Sequence, residues 1–258
     1  MNKTMLLKKE LPSWDLSDLY KSTQSQEINF DLSKLENLTT NFNKKYKGNV
    51  HKLSDKKFYD LFNSLEKIEK LSGRLISYAY LNYCENVSSE EKNKFLSDIQ
   101  EKLVKFESKM LFLSLEINSI SEKKFRKLIA KKSKVKRYET FFNKLRLFKP
   151  YQLSESMENL LNEYKSSSKS SWCKLFDETI SELSISISNK KYSFEESLNL
   201  FQSPNSKTRA MAGIKLSESL KEKIKIFCRI TNTLAKEKQI EDEKRNFSDP
   251  AASRHLAN

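Results

Sequence analysis

The stretch from residue 54 to residue 79, SDKKFYDLFNSLEKIEKLSGRLISYA, decides the fold class of this chain. Its apolar residues recur mainly in steps of three or four, which places them on one face of a long helix: Phe58, Leu61, Phe62, Leu65, Ile68, Leu71, Leu75, Ile76 and Ala79. Ser54 stands where a helix N-cap is expected. A second stripe follows the sequence Ser88-Ser89-Glu90-Glu91: Phe95, Ile99, Leu103, Phe106, Met110, Leu113 and Ile117. We predict that these two stretches form an antiparallel helix pair.

The helical pattern continues on both sides of this pair. Helices are predicted over 31–46, 121–131, 135–147 and 154–166, and a surface loop over 166–171. Ser203-Pro204 indicates a further helix start, and that helix has an apolar face of Leu216, Leu220, Ile224, Phe227, Thr231 and Leu234 before a charged break at 236–245. With only 3 glycines and 4 prolines, the chain has few residues to interrupt helices.

One segment departs from helical periodicity. Residues 182–188 alternate polar and apolar side chains, residues 189–191 can turn the chain, and Tyr192-Ser193-Phe194 can return as a second strand. The sequence therefore predicts a mainly α fold, a multi-helix bundle with one small β-hairpin near 182–194.

Composition indicates the compartment. Cys84, Cys173 and Cys228 are odd in number and widely spaced, which is typical of free thiols in a reducing environment, and we expect them to be buried as small apolar side chains. Met5-Leu6-Leu7 is too short for a signal-peptide core, and no run reaches the roughly 18 apolar residues of a membrane span. We therefore expect a soluble cytoplasmic protein without membrane contact.

The chain offers few groups for catalysis. Its 2 histidines, His51 and His255, are far apart in sequence, whereas a catalytic zinc site needs three protein ligands and often two His one turn apart. We expect His51 to be a solvated loop residue. There is no Gly-rich phosphate loop and no nucleophile-elbow spacing. We therefore predict no catalytic, cofactor-binding or metal-ligating residue in this chain.

The region between Lys123 and Lys149 is strongly basic. It carries twelve Lys/Arg against one acid, Glu139, in a chain of net charge +14, and it is interleaved with Phe125, Tyr138, Phe141, Phe142 and Phe148. Such a segment can bind nucleic acid through phosphates and base stacking. It can equally be a set of amphipathic helices with aromatics in the core and lysines in water. We favour the second interpretation, because Lys outnumbers Arg 40 to 8 throughout the chain.

Several short motifs resemble a known family. They are Pro12-Ser13-Trp14-Asp15-Leu16-Ser17-Asp18-Leu19-Tyr20, Tyr192-Ser193-Phe194-Glu195-Glu196, Ser203-Pro204-Asn205, Arg209-Ala210, Phe227, Asn232, Lys236, Arg245-Asn246-Phe247 and Ser253-Arg254-His255-Leu256-Ala257-Asn258. In this order they resemble the amino-terminal region of oligoendopeptidase F, in the thimet-type zinc oligopeptidase family.

The resemblance implies a function that the residues alone do not. Family members are mostly helical, cleave short peptides within a deep channel, and bind zinc through a His-Glu-x-x-His helix and a later Glu. That motif is absent here, so no zinc ligand can be assigned and the isolated chain is expected to be inactive and to hold no zinc. We expect residues 1–150 to form a helical domain with an extended leader. Residues 151–258 are expected to begin the peptidase body and to be cut, within a helix starting at Asp249-Pro250, before the zinc motif. The chain would thus be one wall of the peptide channel. The alternative is a non-catalytic helical protein with a basic surface for acidic partners or nucleic acid, although nucleic acid is not the expected partner.

Overall fold

The computed structural model describes residues 14–130, 134–187 and 189–257, and the fold is mainly α-helical, as predicted. The predicted positions Pro12, Ser13, Ser188 and Asn258 lie outside the described residues, as do two lysines of the basic segment. The helices are α1 Gln26–Tyr46, α2 Asp55–Glu85, α3 Glu90–Ser108, α4 Phe112–Ser119, α5 Glu122–Leu128, α6 Glu139–Leu147, α7 Glu155–Tyr164, α8 Lys169–Ser181, α9 Phe194–Asn199, α10 Ser206–Glu222, α11 Ile224–Arg245 and α12 Ala252–Ala257. Strands β1 Ser184–Ile187 and β2 Lys190–Ser193 pair antiparallel, which confirms the hairpin.

Helices α2 and α3 form the predicted pair. Lys92 bonds to Glu85 beside the connection, at 2.7 Å between Nζ and Oε2. Further along, the rings of Tyr78 and Phe95 meet edge to face with centroids 5.9 Å apart. The apolar faces are buried together with that of α1, because three amphipathic helices can exclude water from one another's stripes.

The apolar residues from Phe95 to Ile117 were predicted to lie on one helix, but they are divided between two. Helix α3 ends at Ser108 and α4 begins at Phe112, yet Leu103, Leu113 and Ile117 are all buried. The break is stabilised from outside the segment, because the Asn43 amide donates to the Lys109 carbonyl at 2.7 Å. An orphan carbonyl at a helix end needs such a partner.

In the later part of the chain, four further predictions about where helices and loops begin or end are wrong. The cap of α10 is Asn205, whose Oδ1 accepts from the Lys207 amide at 2.9 Å, so the helix starts after Ser203-Pro204. The apolar face from Leu216 to Leu234 was predicted on a single helix, but α10 ends and α11 begins on either side of Lys223. Residues 236–245 were predicted to be a break, but they are helical. The predicted loop over 166–171 is partly helical, because α8 starts at Lys169.

The segment before α1 is anchored by a buried polar network. Tyr20 donates its hydroxyl to Asp31 Oδ2 at 2.7 Å, and Arg74 donates to the same oxygen at 3.1 Å. Arg74 also bonds to the Leu19 carbonyl and lies over the Tyr20 ring, 4.2 Å from its centroid. The Trp14 side chain, by contrast, is 57% exposed.

The main hydrophobic core lies in the first part of the chain. Its buried members run from Tyr20 to Phe142. The buried apolar residues after Phe142 are few among those the structure describes: Leu183, Ile185, Ala212, Leu216 and Ile230. The later helices consequently leave an open surface between them. No helix within the described ranges is long and apolar enough to cross a membrane.

Candidate functional site

The main candidate site is a groove of about 1690 Å³ beside α11. Helix α11 forms one wall, and parts of α2, α3, α7 and α8 form the other. The walls meet near both ends of α11. At one end the rings of Phe176 and Phe227 pack edge to face with centroids 5.7 Å apart. At the other end Arg245 bonds to Glu158. The stretch of α11 between Phe227 and Arg245 is roughly 27 Å long, at the helical rise of about 1.5 Å per residue.

The contact between Arg245 and Glu158 is a two-pronged ion pair. Arg245 Nη1 lies 2.7 Å from Oε1 of Glu158, and Nη2 lies 2.9 Å from Oε2. Arg245 Nε also donates to Glu241 at 2.7 Å, and Nη1 to the Tyr151 carbonyl at 3.2 Å. The Leu153 amide donates to Glu158 Oε1 at 3.0 Å. A guanidinium held in this way fixes the end of α11 against α7.

The residues after Arg245 complete this anchor. Asn246 adopts a left-handed conformation with φ of 61°, which ends α11 and which Asn tolerates better than most residues. Phe247 then stacks on Tyr151, with centroids 4.1 Å apart and ring planes 17° apart. The sequence Arg245-Asn246-Phe247 is therefore a structural unit at one end of the groove.

Two more of the motifs also shape the chain locally. Ser193 and Glu196 form a reciprocal capping box that leads the hairpin into α9. Arg209 donates from Nη1 to the Ser203 carbonyl at 2.7 Å and to the Pro204 carbonyl at 3.1 Å, and so fixes the loop before α10. These motif residues therefore fix where α9 and α10 begin.

Comparison with known proteins agrees with the motifs. A family model described as Oligopeptidase F matches residues 116–184. Oligopeptidase PepF of Bacillus subtilis (strain 168) is 27% identical over an alignment of 157 residues, and the match covers 58% of this chain and 22% of that protein. The crystal structure of oligoendopeptidase-F from Enterococcus faecium superimposes with a TM-score of 0.77 at 16% identity, over 90% of this chain and 47% of that one. The chain resembles the amino-terminal region of oligoendopeptidase F.

The fold recurs in another peptidase structure. A putative peptidase from Chlamydophila abortus matches 95% of this chain and 42% of its own, with a TM-score of 0.54 at 16% identity. This chain thus spans less than half the length of the relatives that it matches.

The described residues do not fit the zinc ion that the oligoendopeptidase F family implies. Within the described ranges, no three His, Cys, Asp or Glu side chains come together as metal ligands. His51 is exposed in a short 3₁₀ turn over Val50–Lys52, as expected, and His255 is exposed on α12. The sequence had offered no ligand set either.

The cysteines are less buried than expected. Cys173 and Cys228 are exposed and Cys84 is half-buried. Cys173 lies on α8 and Cys228 on α11, and both line the groove. Helical periodicity could not show this exposure, because it depends on how far α8 and α11 lie apart.

Aromatic side chains lie along the groove wall formed by α2 and α8. Tyr80 is 54% exposed, Trp172 is half-buried, and Tyr83 is buried. Burial raises the pKa of Tyr83 to about 12, and the nearby charge of Asp177 acts in the same direction. The Tyr83 hydroxyl therefore stays protonated at neutral pH and can donate a hydrogen bond. No sequence pattern distinguished these residues from core aromatics.

In the basic segment, several aromatic side chains pack into the protein. Phe125 and Phe142 are buried and pack edge to face, with centroids 5.7 Å apart. Phe141 departs from this pattern and is 46% exposed. Some basic side chains are paired, for instance Arg146 with Glu122 at 3.0 Å. Packing therefore accounts for the interleaving of Phe125 and Phe142 with basic residues.

Proposed function

We propose that this chain forms the amino-terminal, channel-wall part of a zinc metalloendopeptidase that cleaves short peptides. The observation that carries the proposal is the groove beside α11, since it is a long surface depression in a chain that resembles oligoendopeptidase F. A peptide lying in the groove would contact both helical walls. In this proposal the walls orient the substrate and exclude folded proteins from the channel.

Cleavage itself would come from residues outside this chain. Zinc, when bound by a peptidase of this family, activates the water that attacks the peptide bond. Because the described residues offer no ligand set for it, the proposal assigns the metal to a separate part of the enzyme. It also assigns residues 1–150 to a helical domain and residues 151–258 to the start of the peptidase body, in a cytoplasmic enzyme.

Two assays test this proposal. The chain alone, dialysed and then supplied with zinc, should hold no stoichiometric zinc and should not hydrolyse a quenched-fluorescence peptide. A fusion to the region that follows the matched segment in the Bacillus subtilis relative should hydrolyse it. Turnover by the chain alone, one tightly held zinc per chain, or an inactive fusion that folds and binds zinc would overturn the proposal.

A further inference from the structure

We propose that the groove beside α11 selects peptides with acidic side chains. This inference rests on the proposed function, because it takes the groove to be the peptide-facing surface, and it adds the chemical class of the peptide.

The charge of the α11 wall supports this selection. Eight basic and four acidic side chains line the groove as a whole. Arg245, Glu158 and Glu241 already satisfy one another in the ion-paired anchor at the end of α11. Lys225, Arg229, Lys236 and Lys244 are exposed on the same helix, and in the part of the chain that the structure describes they form no salt bridge. Their charges remain available to a ligand.

The opposite wall has the same sign of charge. Lys165, Lys169 and Lys174 line it, and Lys174 Nζ donates a hydrogen bond to Ser97 Oγ at 2.7 Å. Burial lowers the pKa of Lys174, although the charge of Glu178 partly opposes this. A peptide carboxylate in the groove would offset that burial cost. Asp177 and Glu237 are the acids that stay outside the anchor.

Tyr83 contributes to the aromatic wall of the groove. The Tyr83 side chain is 3% exposed and lines the groove, and its hydroxyl has no hydrogen-bond partner among the residues described. The hydroxyl oxygen exposes less than 1 Å², so a ligand in the groove would contact the side of the Tyr83 ring and not its hydroxyl.

Tryptophan fluorescence can measure the selection directly. The chain has 2 tryptophans, and Trp14→Phe removes the exposed one, leaving Trp172 in the groove as the only reporter. We would titrate this full-length variant with peptides of equal length that share a Leu-Phe centre. Their flanking residues would be all Glu, all Gln or all Lys.

A charge-matched pair of variants distinguishes the effect of the groove charges on binding from the effect of the chain's net charge of +14. The groove variant carries Lys225→Glu and Lys236→Glu, both on exposed positions of α11. The control variant carries Lys57→Glu and Lys70→Glu, both on exposed positions of α2 that do not line the groove. Circular dichroism would confirm that both fold.

The expected order of affinity is Glu peptide, then Gln peptide, then Lys peptide, with a spread that narrows as salt is added. Each reversed groove charge should lower the affinity for the Glu peptide by about twofold to fivefold, which is the range expected for the loss of one exposed ion pair. The control variant should lose less affinity for the Glu peptide than the groove variant does. If the peptides bind equally well, the acidic selection is wrong while the peptide groove stands. If the two variants weaken binding alike, the overall charge and not the groove favours the Glu peptide, and the acidic selection by the groove is wrong. If no peptide binds, the proposed channel-wall role fails and the selection fails with it.

Discussion

The ion pair between Glu158 and Arg245 offers the sharpest test of how the second half of the chain is held together. The two side chains are 17% and 18% exposed, so water screens them only partly. Glu158→Gln keeps the shape and one acceptor oxygen but removes the charge and one of the two hydrogen bonds from Arg245. A hydrogen bond to a charged group contributes about 1.5–3 kcal/mol, and we expect a loss of unfolding free energy in that range.

This value lies between two known limits. Exposed ion pairs contribute less than about 1 kcal/mol, whereas breaking a fully buried pair costs about 3–5 kcal/mol. The remaining bond from Arg245 to Glu241 prevents the guanidinium from being left unpaired, which keeps the expected loss below the upper limit. Urea denaturation followed by Trp172 fluorescence in the Trp14→Phe background measures it.

The pH dependence of the loss supplies an independent check. Burial acts to raise the pKa of Glu158, yet the hydrogen bonds from Arg245 and the Leu153 amide hold that pKa below its ordinary value. A lowered folded-state pKa gives stability that is fully present above the unfolded pKa, about 4.3, and is lost as the pH falls through the folded pKa. The difference between the parent chain and Glu158→Gln should therefore be largest near neutral pH and should shrink in acid.

The control is Glu163→Gln, because Glu163 is an exposed residue of the same helix. Exposed substitutions usually change stability by no more than about 0.5 kcal/mol. If Glu158→Gln costs no more than Glu163→Gln, or if its cost persists unchanged in acid, then the ion pair does not hold α11 against α7 and the reasoning is refuted.

Three further predictions concern the core, a helix end and the leader. Leu103→Ala should cost about 2–5 kcal/mol in urea denaturation because Leu103, on α3, is buried in the main hydrophobic core. A loss as small as that of exposed Lys102→Ala would contradict this packing. Asn246→Ala should be less stable than Asn246→Gly by about 1 kcal/mol, since only glycine takes the left-handed conformation at no cost; equal midpoints would argue against that conformation. Tyr20→Phe should cost about 1–3 kcal/mol because Asp31 loses a buried donor. Tyr164→Phe, at a residue 59% exposed, is its control in thermal denaturation, and a similar shift in both would count against the network.

Much of the fold could be predicted because helical periodicity is local. Phe58, Leu61 and Phe62 lie on one face by spacing alone, and the structure buries all of them. The alternation before Asn189 predicted the hairpin by the same kind of reasoning, since a period of two residues is specific to strands.

The helix ends were less predictable because their partners lie elsewhere in the chain. Lys109 ends α3 beside Asn43 of α1, and nothing in the sequence around Lys109 indicates that contact. The charged segment before Arg245 looked like a break, but its own i to i+4 pairs, such as Lys238 with Asp242, support a helix.

Local sequence patterns were enough to predict the helical class, the pairing of α2 with α3, the hairpin and the resemblance to oligoendopeptidase F. The folded chain alone shows that Arg245 meets Glu158, that Cys173 and Cys228 are exposed, and that Tyr83 is buried beside a cationic groove. The physical reason is that periodicity shows which face of a helix is apolar. Whether another helix covers that face or leaves it open as a groove depends on contacts between residues far apart in the chain.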